Sequence, residues 1–343
     1  MMTPFYRNLR FLTLAGLLVC ALISTVAVPQ KSQFTLPPGC TLPFDDIATK
    51  PDPFQQCGNC GVVSNKAQGT KVQAKALQSQ AKNNFCADTS AVTVIDFASL
   101  RKMGATAKQK GWETTDLTSR QPLHSFFKLN GKSIGEGDVV RLKAWILDAH
   151  VSDCAAGEEV NCLTPGFVNN DLHIPLVDPS AGGQKQGECT SVTAEISPHF
   201  RPSSWSDLDM KTPVKNVVRI TGPLFYDNAH KPCLTPNSTS APTGDPARST
   251  LWEIHPVYKL EVCASSDASK CDVSSDDKTV WIAYDQWVSD PNNQQATAAT
   301  GAKARDESSC AHPVPPKAGA SVPAQCPTKS AGGSPRPRKK AGN

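Results

Sequence analysis

Five stretches of this chain alternate apolar with polar residues, and that period of two limits the fold more than any other feature. They run over 139–149, 171–177, 190–197, 217–226 and 251–263. Alternation of this kind marks half-buried strands. Leu172, Ile174 and Leu176 share one face of the second, and Val192, Ala194 and Ile196 share one face of the third. Trp252, Ile254, Tyr258, Leu260 and Val262 are expected to do the same in the fifth. A serine cap and spaced apolar residues predict a short helix over 203–210, between strands three and four. Three strands, a helix and two strands is the order of an OB-like five-stranded Greek-key barrel. A β-sandwich is the alternative, because short alternating strands feed both. A sixth strand over 280–284 is expected at the edge.

The chain around this β region has a different character. Arg7 and Arg10 precede an uncharged apolar run over 11–28, closed by Thr25-Val26-Ala27. A charged start, a short apolar core and small residues before a cleavage point predict a signal peptide over 1–27. A membrane anchor is the competing reading of that run. No later segment is apolar and long enough to span a bilayer, so no transmembrane helix is expected in the mature chain. Residues 28–134 read as a cysteine-containing N-terminal region with one or two helices. One is expected over 64–84, exposed and tied down at Cys86, and another over 97–110; 92–95 reads as a short strand. Residues 135–288 form the OB-like β domain. Residues 289–343, rich in Pro, Ala and Lys, read as a disordered basic tail that cannot bury enough surface to offset ordering entropy.

The chain has thirteen cysteines, one of them (Cys20) inside the expected leader. The other twelve fall in even groups. Cys40, Cys57, Cys60 and Cys86 come first, then Cys154, Cys162, Cys189, Cys233, Cys263 and Cys271, then Cys310 and Cys326. Even groups fit disulfides within each segment, although connectivity is not readable from spacing. Cys154 with Cys162 is the first pair expected. The C-x-x-C of Cys57 and Cys60 lacks a second ligand pair and any nearby histidine, so structural disulfides account for it better than zinc or redox chemistry. These features together predict a secreted or periplasmic protein.

Charge narrows the partners. The net charge is +4, but residues 291–343 hold eight basic residues against two acidic ones and the leader adds two more positive charges, which leaves 28–290 net negative by four. A nucleic-acid surface is therefore not expected on the folded core. The tail, ending in Pro335-Arg336-Pro337-Arg338-Lys339-Lys340, is suited to contact with anionic surfaces. Asn237-Ser238-Thr239 forms an N-glycosylation acceptor triplet.

Candidate chemistry lies in four histidine–acid pairs: Asp171 with His173, Glu195 with His199, Asp227 with His230, and Glu253 with His255. Asp171, His173, Glu195, Glu253 and His255 oppose the core residues of their strands. OB order makes strands two, three and five neighbours, so these side chains are expected to converge on one outward face, where such barrels usually bind ligands. Imidazole and carboxylate together suit a divalent metal, zinc included, which would lower the pKa of a bound water. Without metal they suit general acid–base work. The plain alternative is hydrogen-bonded pairs that pin neighbouring strands. The chain has no H-E-x-x-H, no G-x-S-x-G and no phosphate-binding glycine loop.

Residues 222–230, Gly-Pro-Leu-Phe-Tyr-Asp-Asn-Ala-His, and 252–257, Trp-Glu-Ile-His-Pro-Val, carry a resemblance. They look like the paired G-x-x-F-x-D-x-x-H and E-[IL]-H-P-V signatures of uncharacterised exported bacterial proteins. The resemblance covers about residues 135–263 and implies a bacterial source and one domain there. It transfers no catalytic role. Three functions follow as expectations: an exported binding module of unknown ligand, a metal-dependent hydrolase or nuclease, and a structural envelope protein.

Overall fold

A computed structural model describes residues 70–83, 87–151, 157–158, 166, 169–182, 186–198, 200–202, 205, 215–238, 240–242 and 245–293. The leader, the basic tail, Cys154, Cys162 and most of the helix expected over 203–210 lie outside the described residues.

The protein is mainly β, with a closed five-stranded barrel. Its staves are β4 (Val139–Ile146), β6 (Leu172–Val177), β7 (Val192–Ile196), β8 (Val218–Tyr226) and β9 (Trp252–Ile254). The hydrogen-bonded order is β4-β6-β7-β9-β8, and β8 returns to β4 to close the ring. Strand β7 meets β9 in parallel, at Ala194 and Ile254; the other staves pair antiparallel. This is OB connectivity, and closure excludes the two separate sheets of a sandwich. Leu172, Ile174, Val192, Ala194, Ile196, Ile220, Trp252 and Ile254 fill one core, as their alternation requires.

Several expectations change in detail. The fifth strand is not continuous. Pro256, which has no N–H to give a ladder, follows a cis bond from His255 and splits the stretch into β9 and β10 (Lys259–Cys263). Both halves pair with the same edge of β8, β9 near Leu224–Tyr226 and β10 near Val218–Thr221. The far edge of β10 takes β11 (Trp281–Ala283), the edge strand expected over 280–284, which leads into α3 (Tyr284–Ser289). Strand β4 stops at Ile146, and His150–Val151 forms a separate short strand, β5, against β6.

A close backbone approach accompanies the split. A Cβ on Gly222 of β8 would meet the Pro256 carbonyl oxygen at 2.4 Å. Gly222→Ala is therefore expected to cost about 1–3 kcal/mol through forced displacement of packed backbone, read as a lower urea midpoint by circular dichroism. An unchanged midpoint would show that the strands part without strain.

The N-terminal region builds onto this barrel. Strand β1 (Thr93–Ile95) runs parallel to β4, and α2 (Phe97–Gln109) starts at Asp96, whose side chain accepts from the Ser99 N–H at 2.7 Å. Strands β2 (Phe127–Leu129) and β3 (Lys132–Ile134) form a hairpin whose two-residue turn is Asn130-Gly131. Both turn residues have positive φ, 51° and 82°, as an Asn-Gly hairpin turn requires. Phe97, Leu100, Met103, Phe127 and Ile134 join the barrel's own core cluster. The change of character at residue 135 thus separates two kinds of sequence but not two cores.

Helix α1 (Thr70–Asn83) corrects the expectation of an exposed helix over 64–84. Ala74, Ala76, Leu77, Gln78, Ser79, Gln80, Ala81 and Lys82 are all buried. Its weak apolar character made it look solvated, yet it is buried, and Gln78 and Lys82 meet polar partners on the barrel.

Candidate functional site

Strand alternation places Asp171, His173, Glu195, Glu253 and His255 on the outside of the barrel wall, as expected. They are not exposed, because α1 lies over this face. Gln78 and Lys82 are four residues apart and so share one helical face, which they direct into the cluster.

The Lys82 ammonium is 2.7 Å from Glu195 Oε2 and 3.8 Å from Asp171 Oδ2. His173 lies opposite Glu195 in the β6–β7 ladder, and its Nε2 is 3.0 Å from Glu195 Oε1. His255 Nε2 is 3.3 Å from Asp171 Oδ2 and 3.7 Å from Glu195 Oε2. A second arm starts at Gln78, which donates to Asp227 Oδ1. Asp227 Oδ2 accepts from Arg248 at 2.6 Å, and Arg248 reaches Glu253 with its other terminal nitrogen. Phe225 packs between the arms, with the Lys82 ammonium 5.4 Å and the Arg120 guanidinium 4.8 Å from its ring centre. Two resemblance signatures thus end in one network: Phe225, Asp227 and His230 from the first, Glu253 and His255 from the second.

The charges are set by one another. Burial alone would push Asp171 up, but the His255 hydrogen bond and the Lys82 charge hold its carboxyl down at about 2. Glu195 is likewise held well below the usual carboxylate range, against burial, by His173 and Lys82. Burial also opposes the charge on Asp227, and Arg248, His230 and Lys82 together hold that carboxyl well below its ordinary value. His173 goes the other way. Burial would lower it, yet Glu195 raises it to about 9, so it is an imidazolium at neutral pH. Lys82 is raised as well, because Glu195, Asp227 and Asp171 outweigh its desolvation. Each buried charge is matched, as burial requires.

A cleft of about 750 Å³ opens beside the network. Its walls are α1, the 113–116 turn, His150 of β5, His173 of β6 and the 227–231 loop. Lys82, Glu195 and Asp227 form part of its floor. At the rim, the ring of His150 stacks on that of His173 at 5.7 Å, with Asp148 Oδ2 3.1 Å from its Nδ1. His230 is 3.3 Å from Asp245 and 3.8 Å from Asp227.

Of the eight residues singled out from sequence, seven are described and all seven belong to this network or its rim. His199 lies outside the described residues. The cluster has two arms: Asp171, His173, Glu195 and His255 form one, while Asp227, His230 and Glu253 gather around Arg248. Gln78, Lys82, Arg248 and His150 were not anticipated. The four-residue spacing of Gln78 and Lys82 on an alanine-rich helix was the only available signal; Arg248 sits in a loop with no pattern to reveal it.

Of the cysteines, the described residues include the Cys189–Cys233 and Cys263–Cys271 disulfides. The former joins the entry of β7 to the loop after β8, and the Cys233 N–H donates to the Arg248 carbonyl at 2.9 Å. Among the described residues, no helix is long and apolar enough to cross a membrane.

Fold and site together define a closed OB-type barrel whose outer face carries a helix-capped polar cleft. In comparisons with known proteins, no family model, no curated protein and no solved structure matches the chain.

Proposed function

We propose that this protein is an exported, disulfide-stabilised binding module that takes a small polar ligand in the cleft beside α1. The observation that carries the reading is the cleft itself: about 750 Å³, walled mainly by polar and charged side chains. Ligand sites commonly have volumes of roughly 300–1,000 Å³. The leader-like N-terminus and the disulfides support a place outside the cytosol.

The state of the buried charges favours binding over hydrolysis. Glu195 accepts from both Lys82 and His173, and Asp227 from both Arg248 and Gln78. Carboxylates held this far down are weak bases, and a lysine held protonated is no nucleophile. The network is suited to supporting a rigid floor, with the rim left to hydrogen-bond a ligand.

Ala229 lines the cleft and is exposed, so Ala229→Trp narrows it without entering the core. Ligand-observed NMR with panels of monosaccharides, disaccharides, amino acids and dipeptides is expected to find binders to the unaltered protein that Ala229→Trp no longer holds. Equal signals from both proteins, or none from any panel, would count against the cleft as a binding site. Conversion of a probe would move the assignment to hydrolase.

A further inference from the structure

We propose that Asp171, Glu195 and His255 form a latent transition-metal site, filled in the docked state by the Lys82 ammonium, so that metal and the C-terminal turn of α1 compete for one position. This goes beyond the binding of a polar ligand in the cleft and does not depend on that reading.

The triad has the spacing of a coordination sphere. The ligating atoms of Asp171, Glu195 and His255 lie within 4.8 Å of one another. Tetrahedral zinc, with bonds of about 2.0–2.2 Å, sets its ligand atoms roughly 3.3–3.6 Å apart. The two edges at His255 Nε2 are 3.3 Å to Asp171 Oδ2 and 3.7 Å to Glu195 Oε2. His173 holds Glu195 by Oε1, which leaves Oε2 turned towards the triad. This outer support resembles the shell that orients ligands around bound metals. His255 Nε2 now donates to Asp171, and Nδ1 has no hydrogen-bond partner among the described residues, so Nε2 becomes a ligand atom once its proton moves to Nδ1 or is lost on metal entry.

A second observation is that a cation already sits against both carboxylates of the triad. The Lys82 ammonium sits 2.7 Å from Glu195 Oε2 and 3.8 Å from Asp171 Oδ2. A buried site with two carboxylates needs positive charge from some source, and here a tethered amine supplies it. Lys82 and Glu195 both line the cleft, which gives an ion a route in and the amine a route out. One imidazole and two carboxylates suit Zn²⁺, Co²⁺ or Mn²⁺.

The test is titration of the full oxidised protein with Co²⁺, followed by Zn²⁺ competition, using the unaltered chain, Lys82→Ala, and Lys82→Ala combined with His255→Ala. The expected result is one Co²⁺ per chain in Lys82→Ala, with visible ligand-field absorption. Binding should be at least about tenfold tighter than in the unaltered protein and lost in the double variant, since losing a ligand or its support typically costs 10–100-fold. A folded Lys82→Ala that takes up no Co²⁺, or takes it up no more tightly than the unaltered chain, would overturn the proposal. If Lys82→Ala does not fold, Lys82→Met keeps the volume of the stem and the same criteria apply. Hydrogen exchange on the unaltered protein reads the competition directly. Excess Zn²⁺ should speed exchange of the amides of residues 78–83, and unchanged protection with Zn²⁺ bound would also refute it.

Discussion

Replacing Arg248 by alanine should lower the stability of this protein by about 3–5 kcal/mol at pH 7, the range for stranding buried charges by removal of their partner. Arg248 is fully buried and spans two carboxylates, Asp227 at 2.6 Å and Glu253. Its loss would leave both buried carboxylates without their main cation. Arg248→Lys keeps the charge but not the fork and should fall between. The defect should also depend on pH. Asp227 is held below its ordinary value in the folded state, so its contribution is present above the unfolded carboxylate range and fades as pH falls through about 4 and below. The gap between the unaltered protein and Arg248→Ala should therefore narrow in acid. Urea denaturation at pH 7 and at pH 3.5 measures both effects; coincident curves at pH 7 would remove Arg248 from its place as the network's central cation.

The second large effect is expected at Cys189–Cys233. This bridge closes a sequence separation of 44 residues, and chain-entropy arguments give such a loop about 4 kcal/mol. The shorter Cys263–Cys271 bridge, with a separation of 8, should contribute about 2–3 kcal/mol on the same argument. Replacing Cys189 and Cys233 together by serine should therefore destabilise the protein more than replacing Cys263 and Cys271. The first bridge also lies beside the Arg248 backbone, so its loss is expected to loosen the floor of the cleft. Thermal unfolding of the two double variants ranks them, and the reverse order would mean that the unfolded chain is already constrained near Cys189.

The strands were legible because each barrel stave has one face in the core, and burial on one side imposes the alternation seen at Leu172, Ile174 and Leu176. The direction of the site residues was legible for the same reason: His173 and Glu195 had to point outward once their neighbours pointed in. Their burial was not legible. It depends on α1, whose docking rests on Gln78 and Lys82, residue types that ordinarily mark a solvated surface. The split of strand five at Pro256 could have been anticipated from the missing N–H. The β2–β3 hairpin was missed although Asn130-Gly131 is a strong turn signal, because three residues on either side are too few to show a period.

The polar anchors of α1 also determine where along the barrel this helix rests. Ala74, Ala76 and Ala81 are small and nearly featureless, so Leu77 is the one bulky apolar side chain among the buried residues of the helix that opposes a slide by a turn. Such a slip would bring Gln78 to Glu195 and Ala74 to Asp227. Glu195 would lose its ammonium and Asp227 its amide. Two long polar side chains thus reject the misplaced alignment in the way a cut key rejects the wrong lock, and the same pair keeps one wall of the cleft in a single position.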